Sequence, residues 1–119
     1  MSHILVVEDN EGVADVFMMA LTDAGYQVAV AGTKAAALSE ALTKHPDLIL
    51  LDIALGTENG VDVANALYNE NITAPIIIVS SGLVPAAPSG IKFASSLQKP
   101  ISPKELIAAV VEQLAKVER

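Results

Sequence analysis

Residues 48–52 read Leu-Ile-Leu-Leu-Asp, and residues 4–9 read Ile-Leu-Val-Val-Glu-Asp. Each is an unbroken apolar run ending in acid, and an apolar run without polar alternation is the pattern of a strand covered on both faces. If the two strands lie side by side and parallel, Glu8, Asp9 and Asp52 converge at one edge of a sheet. Carboxylates gathered this way repel one another, and the repulsion must be relieved by protonation or by a cation. The pattern points to a metal site or a reactive carboxylate.

Outward from these runs, apolar strand-like segments alternate with segments of helical period, the signature of repeated β-α units. Val13, Val16, Phe17, Ala20, Leu21 and Ala24 share one helical face, Asn10 stands where a cap belongs, and Gly25 supplies a left-handed stop. A short strand follows at Val28–Ala31. The second helix spans about Lys34 to Lys44 and must stop before Pro46, which disfavours helical geometry at His45. After Asp52 a glycine-containing loop leads to a third helix from about Gly60 to Asn69. Pro75 then opens the β-branched strand Ile76–Ile77–Ile78–Val79. The last helix is announced by Ser102 as cap, Pro103 at its first position and Glu105 closing a capping box, with Leu106, Val110, Leu114 and Val117 facing inward. Between these elements, Leu83–Val84–Pro85–Ala86–Ala87–Pro88–Ser89–Gly90 holds two prolines and a glycine, which predicts a loop or single turn in place of a further helix.

Strands buried on both faces, joined by right-handed crossovers, make an open α/β three-layer sandwich. The expected fold is flavodoxin-like, a five-stranded parallel sheet of order 2-1-3-4-5. Its first and third strands are neighbours across the topological switch point, where such sheets place their sites.

The 119 residues suit one domain, 1–119, with a proper core. A net charge of −7 disfavours nucleic acid or an anionic membrane as a direct partner and favours a protein. Without cysteine, disulfides and thiolate ligands are excluded, and any metal is expected to be oxygen-bound. No apolar stretch approaches the ~20 residues of a spanning helix, and the start runs directly into a strand, so a cytosolic (cytoplasmic) protein is expected.

Four motifs occur in order: Glu8–Asp9 after the first strand, Asp52 after the third with Gly60 eight residues on, Ser80 ending the fourth, and Lys99–Pro100 after the fifth. In this order and on these elements, the chain resembles the receiver domain of bacterial two-component response regulators. The resemblance implies a phosphorylatable signalling switch that catalyses only its own phosphorylation and dephosphorylation. Asp52 would accept a phosphoryl group from a histidine kinase or histidine phosphotransfer protein. Mg²⁺ would be held by Asp9, Asp52, the backbone carbonyl of Ala54, and Glu8 directly or through water. Lys99 would give a fixed positive charge and Ser80 a hydroxyl to the phosphoryl oxygens, with Ser81 a weaker alternative and Pro100 joined to Lys99 through a cis bond. Partner recognition is expected around Asn10, Glu11, Val13 and Ala14.

Each residue also has a plainer reading. Glu8–Asp9 can be a solvated strand end beside a helix cap, Asp52 can cap the following loop, and Lys99 can be a surface charge leaving a strand. His3 and His45 read as structural.

The chain departs from the family pattern at three places. Gly56 replaces a common proline, giving a looser loop over Ala54–Asn59. Ser96 stands where an aromatic switch residue is usual, and Phe93 lies three residues too early to replace it. The third departure is the Leu83–Gly90 segment. Read-out is therefore expected through Leu83–Ile91 and the loop after Asp52, and hydrolysis of the phosphoryl group is expected to be quick because Ala54 and Gly82 are small. A stand-alone monomer or weak dimer, acting on a downstream protein target, is the expectation. Two other classes fit less of the sequence: a docking module that works without phosphorylation, and a magnesium-dependent phosphohydrolase. Asp52–Ile53–Ala54 lacks the second acid such hydrolases use.

Overall fold

A computed structural model describes residues 2–117, the side chain of Val117 excepted. In chain order the elements are β1 (His3–Val7), α1 (Glu11–Asp23), β2 (Gln27–Ala31), α2 (Lys34–Lys44), β3 (Leu48–Asp52), β4 (Ala54–Leu55), β5 (Glu58–Asn59), α3 (Gly60–Asn69), β6 (Ile76–Ser80), β7 (Ser95–Gln98) and α4 (Pro103–Val117). The main sheet is parallel with order β2-β1-β3-β6-β7, which is the expected topology. No helix among the described residues is long and apolar enough to cross a membrane.

Alternation along the strands explains why Ile4–Val7 of β1 and Leu48–Leu51 of β3 are unbroken apolar runs. Leu5, Val7, Ile49, Leu51 and Ile78 pack on one face with Ala37, Ala41, Val63 and Leu67 of α2 and α3. Ile4, Val6, Leu48, Leu50 and Ile77 pack on the other with Phe17, Leu21, Leu106, Val110 and Leu114 of α1 and α4. Both faces must be apolar, so the period-2 signal vanishes and a continuous run remains.

The helix ends follow their capping chemistry. Asn10 Oδ1 accepts from the Val13 amide at 3.0 Å, and Gly25 follows α1 with φ +98°. Ser102 and Glu105 form the reciprocal box, with the Glu105 amide donating to Ser102 Oγ at 3.1 Å and the Ser102 amide to Glu105 Oε1 at 3.4 Å. No helix or strand forms over residues 81–94, so the connection from β6 to β7 is the expected irregular one.

Three expectations need correction or limits. Val16 is 49% exposed, because the buried arc of α1 is centred on Ala14, Phe17 and Leu21 and Val16 falls outside it. The inward side chain expected of Val117 lies outside the described residues. The segment after Asp52 is not a loose loop: β4 and β5 pair antiparallel, Ala54 opposite Asn59 and Leu55 opposite Glu58. The two residues between them are Gly56, at φ +61°, and Thr57. Glycine with positive φ at the first central position is what a two-residue hairpin turn of type II′ requires.

Candidate functional site

The parallel pairing of β1 with β3 places Val7 opposite Leu51, so the residues that follow emerge together at the carboxyl edge. One oxygen from each of Glu8, Asp9 and Asp52 lies within 4.8 Å of the others. Glu8 and Asp52 are buried and Asp9 is exposed. Lys99 enters from the end of β7, with its amide donating to the Ser80 carbonyl at 2.8 Å. Its Nζ donates to Glu8 Oε1 at 2.9 Å and to Asp52 Oδ2 at 2.8 Å. The Lys99–Pro100 peptide is cis.

Asp52 is held at both oxygens. Oδ2 meets the Lys99 ammonium, and Oδ1 accepts from the Ala54 amide at 3.1 Å. The capping reading of Asp52 is thus correct in geometry and compatible with a second role. Glu8 Oε2 similarly accepts from the Asn10 amide at 3.3 Å.

One ammonium for three carboxyl groups leaves the cluster short of positive charge. Burial, and next the hydrogen bond to Asp52, raise the Glu8 carboxyl above its ordinary value, and the bonds from Lys99 and the Asn10 amide only partly oppose them. Burial alone would lower Lys99, yet its bonds to Asp52 and Glu8, with their coulombic attraction, outweigh that and leave the ammonium raised. Grouped hard oxygen donors, an exposed member that leaves room for water, and a carboxyl raised chiefly by burial together fit a divalent cation of the Mg²⁺ kind.

Gly60 fixes the approach of α3 to this edge. A Cβ there would collide with the Asp52 carbonyl oxygen and stand 2.8 Å from Ile53 Cα, while the Gly60 amide donates to the Ile53 carbonyl at 2.7 Å. Only glycine permits so close a crossing.

The structure does not bring every expected side chain into the cluster. Ser80 is buried at the end of β6, but its hydroxyl accepts from the Gly82 amide at 3.1 Å and donates back to the Gly82 carbonyl at 3.2 Å, closing its own turn. Ser81 is exposed and lines a groove with Lys99. Ala14 is buried and so unavailable to a partner, whereas Asn10 and Val13 line that same groove. Ser96 is exposed on β7, and Phe93 packs against the α2–α3 side of the core. Sequence reasoning missed the bond by which Glu58 Oε1 accepts from the Lys34 amide at 2.9 Å, because it depends on the hairpin; glycine opening a two-residue turn was the available signal.

A model of the response regulator receiver domain matches residues 4–111. The chain is 31% identical over 118 residues to the DNA-binding response regulator MtrA of Mycolicibacterium smegmatis, covering 98% of this chain and 52% of that protein. It is 37% identical over 81 residues to the transcriptional regulatory protein KdpE of Mycobacterium tuberculosis, covering 68% of this chain and 35% of that protein. The chain therefore spans about half the length of MtrA, and less of KdpE. Among solved structures, a CheY-like response regulator receiver domain protein from Methanospirillum hungatei superposes with a TM-score of 0.87 at 22% identity, over 99% of this chain and 97% of the other, and shares the fold. The N-terminal domain of a response regulator/sensory box/GGDEF 3-domain protein from Carboxydothermus hydrogenoformans gives 0.83 at 29% identity, over 98% and 97%. A family match across nearly the whole chain, on a sheet that gathers its acids and lysine at the expected switch point, establishes that the chain belongs to the response regulator receiver domains of two-component systems.

Proposed function

We propose that Asp52 is the phosphoacceptor of a phosphorelay, taking its phosphoryl group from a phosphohistidine on a histidine kinase or histidine phosphotransfer protein. The supporting observation is that Lys99 Nζ bridges Glu8 and Asp52 at 2.9 and 2.8 Å within a three-carboxylate cluster. In the transfer, a carboxylate oxygen of Asp52 forms a bond to phosphorus as the bond from phosphorus to imidazole breaks, and the imidazole keeps that electron pair. The product is an acyl phosphate. Charge is the obstacle, since a phosphoryl group enters a site already anionic, so catalysis consists of positioning and charge compensation. Lys99 follows the developing negative charge with a fixed cation. Asp9, Asp52, the Ala54 carbonyl, and Glu8 directly or through water would hold Mg²⁺, which when bound would supply further neutralisation of the phosphoryl oxygens.

Ser80 supports a two-state reading. Its hydroxyl closes the turn at Gly82, and engagement of a phosphoryl oxygen requires it to leave that turn, which transmits the modification to the Leu83–Ile91 connector. With Ser96 at the usual aromatic position, the connector is the element left to carry the signal to a downstream protein. The donor docks along a groove of about 650 Å³ lined by Val13, Val16, Phe17, Pro100 and Ile101, beside Lys99. Under this reading the protein acts in the cytosol as a switch, with turnover limited to its own phosphorylation and dephosphorylation.

Incubation with acetyl phosphate and Mg²⁺, followed by intact mass measurement, tests the proposal. The expected result is a phosphoryl adduct on the wild type that is lost in Asp52→Ala. Absence of an adduct in the wild type supports a phosphorylation-independent docking module, and rapid turnover of many phosphate esters supports a hydrolase.

A further inference from the structure

We propose that Glu58 is a positioning residue for Asp52, acting through the β4–β5 hairpin; its catalytic consequence rests on Asp52 as phosphoacceptor. The hairpin touches the site at two points. The Ala54 amide donates to Asp52 Oδ1 at 3.1 Å, and a Cβ at Gly56 would stand 3.3 Å from Asp9 Oδ2, so the turn rests against the acids. Leu55, between them, is buried in the core and acts as a pivot.

Glu58, paired with Leu55 across the hairpin, fastens the far side. Its Oε1 accepts from the Lys34 amide at 2.9 Å, a bond spanning 24 residues of chain. Lys34 opens α2, and the cap residue Thr33 satisfies Ala36. The Lys34 amide, one of the helix's unpaired first-turn donors, takes the Glu58 carboxylate, whose negative charge suits the positive end of the helix dipole. The hairpin is therefore a strut between α2 and the acid cluster.

Asp52 needs both its oxygens directed, one by Lys99 and one by Ala54. Releasing Glu58 lets the hairpin turn about Leu55 and withdraw the Ala54 amide, leaving the nucleophile oriented from one side only. Groups that orient a reacting side chain without touching substrate commonly affect rate through such loosening.

The test uses the full chain with Glu58→Ala and Glu58→Gln. Amide-proton exchange is read by NMR at Ala54, Lys34 and a core reference such as Leu50, and phosphorylation by acetyl phosphate is timed in parallel. In Glu58→Ala, exchange at Ala54 and Lys34 should rise severalfold with Leu50 unchanged, and phosphorylation should slow severalfold. Glu58→Gln keeps an acceptor oxygen and should restore most of both. Unchanged Ala54 protection in Glu58→Ala overturns the proposal, as does an unaltered phosphorylation rate despite faster Ala54 exchange, or equal loosening by Glu58→Gln. If the wild type accepts no phosphoryl group, the phosphoacceptor reading fails by itself, and Ala54 exchange still decides whether Glu58 holds the hairpin on Asp52.

Discussion

The two halves of the sheet's carboxyl edge are built differently. At β1 and β3, Glu8, Asp52, Ala54 and Gly60 are fixed by hydrogen bonds and close backbone packing, with Lys99 reaching in from the end of β7. At β6 the chain leaves the sheet into residues 81–94, which form no helix or strand before β7 begins, and Leu83 there is 98% exposed. The first half is organised before any ligand arrives; the second, where it leaves β6 at Leu83 and Val84, is exposed and lacks regular structure. A switch needs both: rigid chemistry at one end and a segment of low local stability that can answer at the other.

Substitutions on the two halves should therefore differ in cost. Gly60→Ala drives a methyl group into the Asp52 and Ile53 backbone, which cannot move aside as a side-chain tip could. We expect a loss of about 3 kcal/mol in urea unfolding, the upper part of the overpacking range. A variant of near wild-type stability would show that the packing of α3 on Asp52 is slack.

Lys99→Ala removes the ammonium between two buried carboxyl groups. Breaking a fully buried pair costs roughly 3–5 kcal/mol, and because the Lys99 side chain remains 25% exposed we expect about 2 kcal/mol in metal-free protein at neutral pH. Mg²⁺ should recover part of the loss, whereas no recovery would mean that the acids do not share a cation.

The pH dependence is smaller and sharpens the same contrast. Because the folded-state value of Glu8 is raised, its contribution to stability is full below the ordinary value of 4.5 and is lost as pH rises through the raised value. Metal-free wild type should thus gain stability relative to Glu8→Gln as pH is lowered from neutrality toward 4.5. A difference between the two that stays flat with pH would contradict the burial-raised Glu8 carboxyl. Lys99 acts in a separate window, its contribution persisting until the pH rises through its own raised value, above 10.5.

Least affected should be Leu83→Ser, on the loose half. An exposed side chain away from caps and cores usually changes stability by within about 0.5 kcal/mol, and thermal unfolding should show no more than that. A larger loss would reveal packing of the connector and blur the distinction between the halves.

What was legible in the sequence follows the same division. The four-residue apolar runs ended by Glu8 and Asp52 carry their own signal because burial on both faces forces it. The connector was legible from its prolines. The hairpin was not, since strands of two residues are too short to show periodicity, and its anchor Glu58 looks like any solvated acid until α2 is seen beside it. Val16 was misplaced because a helix of mostly apolar residues does not reveal where the centre of its buried arc falls. The expected hydroxyl of Ser80 is at the right strand end, but its bond within the turn at Gly82 depends on backbone conformation that residue type does not encode.

The ends of the β6–β7 connector are pinned by strand pairing, and Leu83, near its start, is open to solvent. Lengthening such a tethered span is inexpensive, about 0.6 kcal/mol for each doubling. A short epitope or dye-bearing peptide can therefore be spliced beside Leu83 without disturbing the fold, making this surface an entry point for a reporter of the protein's signalling state.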